Sequence, residues 1–149
     1  MRHTIIYIFA LLTTVIAALG LNSCSTHGSD NGDLDGYWYM RQIDTLSTGS
    51  QTDVHEKRIF WSYIGTLMQT EGSDSELIVY SFDHNNTQLR VHNPYKNIQA
   101  TDEKITEDNL PLLRRVGINA LDETFTVEVL TSDEMVLRSN TLRLHFIKY

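Results

Sequence analysis

The chain has 149 residues, the size of one domain with a tail. Its 12 Lys and Arg against 19 Asp and Glu give a formal charge of −7, so no basic surplus exists to neutralise nucleic-acid phosphates. Hydrophobic residues at 41% and charged residues at 21% exclude a wholly disordered chain, and a single Cys excludes an internal disulfide framework and a multi-Cys zinc site.

The chain opens with Met1, Arg2 and His3, a short positive start. Residues 5–20 carry no charge and are mostly apolar, and small residues follow. That layout is the one of a secretory signal peptide, and the run is shorter than the ~20 residues of a spanning helix. Leu21-Asn22-Ser23-Cys24 then looks like a bacterial lipobox, with the chain's one Cys at the position to be modified. What the lipobox implies is a diacylglycerol on the Cys24 sulfur, removal of residues 1–23 and acylation of the new amino group. The expected organisation is a signal peptide over 1–23, a lipid-anchored flexible tether over 24–33 and one β domain over 34–149. Cleavage removes Arg2, so the mature chain is more acidic still and has no Coulombic attraction for an anionic membrane. The expected membrane contact is the lipid itself.

Residues 25–32 have no large apolar side chain and read as the tether. Asn31, Asp33, Asp35 and Gly36 echo the start of a calcium loop, but position twelve is Gln42 and not a bidentate Glu, so a solvated acidic turn is expected. Residues 37–43 are rich in strand formers. Residues 44–56 read as a polar loop. Residues 58–69 form the next strand stretch, interrupted by Gly65, as one bent strand or two short ones. A turn at 71–74 leads to a strand over 77–82. His84, Asn85 and Asn86 form a hairpin tip, and 88–92 return with clean alternation until Asn93-Pro94 ends the strand. A helix is expected over 109–116, with Asp108 as N-cap and Gly117 just past its end; Leu110, Leu113 and Val116 would face the core. Residues 124–129, 135–138 and 142–146 alternate as three more strands. Seven or eight strands with short connections give an all-β, antiparallel meander that closes as a barrel or a sandwich, with one short α-helix.

Three features carry a resemblance: the lipobox Cys with its polar tether, the segment Leu34-Asp35-Gly36-Tyr37-Trp38, and the closing pair of strands around Met135-Val136-Leu137-Arg138 and Leu142-Arg143-Leu144-His145-Phe146. The Gly-x-Trp opening is similar to the first strand of lipocalins. The layout resembles the small lipocalin-like lipoproteins of Bacteroidetes. That resemblance implies an up-and-down lipocalin-like β-barrel of eight strands and an outer-membrane lipoprotein, periplasmic or surface-facing. It implies no defined ligand. Asp44-Thr45-Leu46 also resembles the Asp-Thr-aliphatic site at which such envelope proteins are O-glycosylated, but a three-residue pattern is weak and an ordinary loop is the expectation.

Alternation places Trp38, Met40, Leu89, Val91, Phe125, Val127, Val129, Met135, Leu137, Leu142, Leu144 and Phe146 on the inner face. None is ionisable, so no acid, base or nucleophile converges there. No catalytic site is expected, and no cofactor or metal is implied. His84 and His92 flank one hairpin beside Asp83 and could hold a metal, but exposed strand-end histidines are the expectation. His145 alternates outward and is expected to be solvated. Asp102-Glu103 and Asp122-Glu123 read as acidic turns. No Gly-x-Ser-x-Gly, P-loop or metal-protease motif occurs. Aromatics crowd the first strands, where they fill a core or line a pocket. The expected ligand-binding residues are Trp38, Met40, Trp61 and Tyr63, taking a small apolar or aromatic molecule without chemistry. The alternative is a solid barrel that docks on an envelope protein through its outer surface.

Overall fold

The computed structural model describes residues 31–98 and 101–149. The expected signal peptide, Cys24 and most of the tether lie outside the described residues. Ten strands follow in order: β1 (Gly36–Thr45), β2 (Ser50–Asp53), β3 (Phe60–Ile64), β4 (Leu67–Gly72), β5 (Ser75–His84), β6 (Gln88–Ile98), β7 (Thr101–Lys104), β8 (Glu123–Leu130), β9 (Glu134–Arg138) and β10 (Leu142–Lys148). One helix, α1 (Leu110–Arg114), lies between β7 and β8.

Eight of these strands close into a ring, β1-β3-β4-β5-β6-β8-β9-β10, and β10 pairs back with β1 from Trp38↔Lys148 to Thr45↔Leu142. Every pairing is antiparallel. Closure removes the exposed sheet edges that an open meander would present. β2 and β7 stand outside the ring. β2 continues the edge of β1 beyond β3, and β7 continues the edge of β6 beyond β8.

The interior follows from the side-chain period of two. Trp38, Met40, Trp61, Tyr63, Met68, Leu89, Phe125, Met135, Leu137, Leu144 and Phe146 point inward and are buried. Two devices close the ends. At the end where β1 begins, a 3-10 turn (Gly32–Leu34) buries Leu34, and the Trp38 indole N–H donates to the Leu34 carbonyl at 2.8 Å. At the opposite end, α1 and the residues after it bury Leu113, Val116 and Ile118. There the Trp61 indole N–H donates to the Val116 carbonyl at 3.0 Å.

Four expectations are corrected. Residues 44–56 are not a loop throughout: β1 runs on to Thr45, and β2 pairs with it from Gln42↔Asp53 to Thr45↔Ser50. Asn93-Pro94 does not end its strand. Asn93 takes a positive φ of 51°, the register shifts between Val79 and Ser81, and the bulge carries the Pro without losing the strand. The helix spans five residues rather than eight, preceded by a 3-10 turn (Glu107–Asn109) whose capping box uses Thr106, not Asp108. Gly117 does stand just past the end at φ 88°, with Ile118 N–H donating to Leu113 and Gly117 N–H to Arg114. Finally, Val129 faces outward. A bulge at Glu128 makes Val127 pair with Leu137 but Val129 with Val136, so Leu130 packs against the core in its place.

Candidate functional site

Two of the four expected ligand-binding residues, Trp38 and Trp61, meet, and Met40 and Tyr63 stand on either side of them along the inner wall. Trp38 and Trp61 face each other in the β1–β3 register, Tyr63 lies two residues further along β3, and Met40 two further along β1. The Trp61 ring sits 5.6 Å from Phe125 and 5.1 Å from Phe146, and the Tyr63 ring packs edge-on at 5.2 Å from Phe82. All four are at most 1% exposed. A side chain lining an open, water-sized space would keep surface in it, so the interior holds no ready gap at the two Trp rings.

Polar groups interrupt the apolar interior, the Tyr63 hydroxyl and the His84 Nε2 both being buried without a hydrogen-bond partner among the described residues. Across the wall, the Tyr80 and Thr70 hydroxyls meet weakly at 3.4 Å. Burial pushes both phenols up from their ordinary pKa, so they are neutral donors. A buried, unmet hydroxyl costs about 1–3 kcal/mol, and native interiors seldom leave one without a water or ligand. Tyr80 was legible as one of the early aromatics. Thr70 was not, although its even spacing from Met68 places it on the inner face.

The two histidines do not form a site together. His84 pairs with Leu89 and shares its inward face, while His92 pairs with Ser81 on the outer face. His84 is half-buried rather than exposed, and burial lowers its pKa. His92 lies 3.2 Å from Asp83, beside the Arg90–Asp122 pair whose two contacts are 2.8 and 2.6 Å. His145 also departs from expectation: it is half-buried and meets Asp44 at 2.9 Å. Asp102 and Glu103 lie in β7, not in a turn, and are exposed. Among the described residues, no three His, Cys, Asp or Glu side chains gather where they could hold a metal ion.

Comparison with known proteins agrees with this architecture. A lipocalin-like protein from Bacteroides uniformis superimposes with a TM-score of 0.59 at 18% identity, over 79% of this chain and 100% of that one. An uncharacterized protein from Bacteroides eggerthii gives 0.56 at 14% identity, over 78% of this chain and 99% of that one. At such identities the likeness concerns the fold alone. No curated protein matches the sequence. The model of the lipocalin-like domain matches residues 18–149, nearly the whole chain, and by that match the protein belongs to the lipocalin-like domain family.

Proposed function

We propose that the protein is a lipid-anchored, non-enzymatic binding protein of the bacterial cell envelope, which takes a small apolar or aromatic molecule into its barrel. The observation that supports ligand binding is the unmet Tyr63 hydroxyl in an aromatic interior. A ligand with one hydrogen-bonding atom would satisfy it while covering Trp61, Phe82 and Phe125. Both ends of the barrel are closed. One is held by Trp38 on Leu34 and by Lys148, whose ammonium donates to the Asp33 and Asp35 carbonyls. The other is held by Trp61 on the Val116 carbonyl, by Arg115 on the Asp74 carbonyl at 2.8 Å and by the buried Leu113, Val116 and Ile118. Uptake of a ligand therefore requires local opening of one end. Native mass spectrometry of the protein purified from its own envelope tests the proposal. A small molecule retained by the native chain and weakened in Tyr63→Phe is expected, and repeated recovery of the empty chain would overturn it.

The anchor rests on Leu21-Asn22-Ser23-Cys24. Each buried CH₂ is worth about 0.8 kcal/mol, so several acyl chains hold firmly where one is marginal. Cys24→Ala should move the protein out of the membrane fraction or leave it unprocessed. Correct cleavage with unchanged membrane retention would sink the lipoprotein reading. A second reading, the solid barrel that works through its outside, is favoured by the near-zero exposure of the interior side chains. Crosslinking in intact cells separates the two, since a single recurrent protein partner supports the second.

A further inference from the structure

We propose that the outer face of β1, β3 and β4 rests on the bilayer in which the anchor is embedded, with Ile64, Leu67, Tyr37 and Tyr149 in the interfacial zone of a zwitterionic phospholipid leaflet. The proposal rests on the anchored reading and adds an orientation to it. Among the described residues, most large apolar side chains left in solvent gather on one wall. Ile64 is 68% exposed, Leu67 45%, Tyr37 45% and Tyr149 83%. They are neighbours by register. Ile64 pairs with Leu67 across the β3–β4 turn, Tyr37 pairs with Ser62 two residues before Ile64, and the Tyr149 N–H donates to the Tyr37 carbonyl at 2.9 Å. The Tyr149 ring packs 5.2 Å from Phe60, which stacks on Tyr39. Past Leu67 the wall continues as a shallow groove of about 260 Å³ between Ile64, Leu67, Val79 and Tyr95. A contiguous exposed apolar face of this kind marks a contact surface.

The chain itself says what covers it. The Asn31 side-chain amide donates to the Gly65 carbonyl at 2.8 Å, and Gly65 is the turn residue between Ile64 and Leu67. The domain therefore hands over to its tether at the tip of the hairpin that carries the two exposed aliphatics. Cys24 stands seven residues before Asn31. Seven residues reach at most about 25 Å, less than the hydrocarbon thickness of a bilayer. The tether keeps the hairpin within that distance of the anchor, and a weak patch suffices because the anchor makes the second contact intramolecular. The chemistry is apolar with tyrosines at the water boundary, as interfacial side chains are. Lys148 is engaged by Asp33 and Asp35, Arg41 lies over the Tyr39 ring, and the chain is acidic overall, so what the patch offers a zwitterionic leaflet is apolar contact rather than net Coulombic attraction.

The test uses the full chain, purified from membranes and reconstituted in vesicles of phosphatidylcholine and phosphatidylethanolamine. A nitroxide is placed at the hairpin by Thr66→Cys or at the far end by Asn140→Cys; both positions are exposed. An acylated Cys24 leaves the introduced thiol as the only reactive one. The label at 66 should collide several-fold less with an aqueous nickel chelate than the label at 140, without dependence on salt. Ile64→Ser with Leu67→Ser should return it to water. Equal access at the two positions in acylated protein overturns the orientation and leaves the anchor standing. Spin coupling between two labels at 66 overturns it in favour of a second copy. An intact mass lacking the acyl groups removes the anchor and the orientation with it.

Discussion

The Asp44 carboxylate meets the His145 imidazole at 2.9 Å, and the two residues stand 101 positions apart. They lie on β1 and β10, the first and last strands of the ring, so a side-chain contact reinforces the backbone ladder that closes the barrel. Gln42 donates to the other Asp44 oxygen at 2.6 Å. Burial would raise the Asp44 pKa, but the bonds from Gln42 and His145 outweigh it, and the group is held below the ordinary 3.8. A lowered folded-state pKa gives stability that is present above the unfolded value and lost as pH falls through the folded one. Asp44→Asn should therefore cost about 1 kcal/mol at neutral pH and nothing in strong acid. Thermal melts across that range check it; a pH-independent cost would mean the contact is not charge-assisted.

Glu123 should show the opposite slope. Its carboxylate accepts the Asn119 N–H at 2.6 Å, but burial raises its pKa above 4.5. A raised folded-state pKa gives stability that is complete below the unfolded value and lost as pH rises through the folded one. Relative to the native chain, Glu123→Gln should gain stability as the pH moves from acid to neutral. Parallel stability curves for the two proteins would refute the assignment.

Most of the barrel was legible because one face of each strand is buried, and burial imposes alternation. The last two strands read cleanly for that reason, as did Gly117 after the helix. The misreadings fall where the period breaks. Arg41 and Glu128 are extra residues in bulges, and each turns the remainder of its strand over. β2 is Ser-Gln-Thr-Asp, exposed throughout, so it has no apolar pattern to read. Trp38, Met40, Trp61 and Tyr63 were legible as interior residues, but aromatic residues in early strands look the same whether they line a space or fill it. His145 was misplaced because alternation gives a direction and not a partner; Asp44, its partner, lay in what read as a loop.

Gly117 joins the plug to the barrel. Its φ of 88° suits glycine, and a Cβ built there would lie 3.2 Å from Leu144 and from Met40. Gly117→Ala should cost about 2 kcal/mol or more, from backbone strain and overpacking together. Urea titration measures it. A loss below about 0.5 kcal/mol would mean that the α1 segment moves away from Leu144 and Met40 at little cost.

The bulge at Glu128 makes the sharpest test of the register. Before it, Val127 pairs with Leu137 on the inner side; after it, Leu130 packs on the core and Val129 lies beside Val136 on the outside. Unbroken alternation would place Val129 inside and Leu130 outside. The order of damage therefore distinguishes the two. Leu144→Asp, at a fully buried position on β10, should unfold the domain. Its carboxylate must be desolvated or protonated, at a cost of several kcal/mol against a total of about 5–15 kcal/mol. Leu130→Asp should be clearly worse than Val129→Asp, and Thr126→Asp, on an exposed position, should stay near about 0.5 kcal/mol. Equal losses at 129 and 130 would mean that both faces of β8 are covered there. A reversed order would restore the unbroken register, and Val136 on the outer wall would then lose Val129 as its partner, because a one-residue slip moves every side chain beyond it to the other face of the strand.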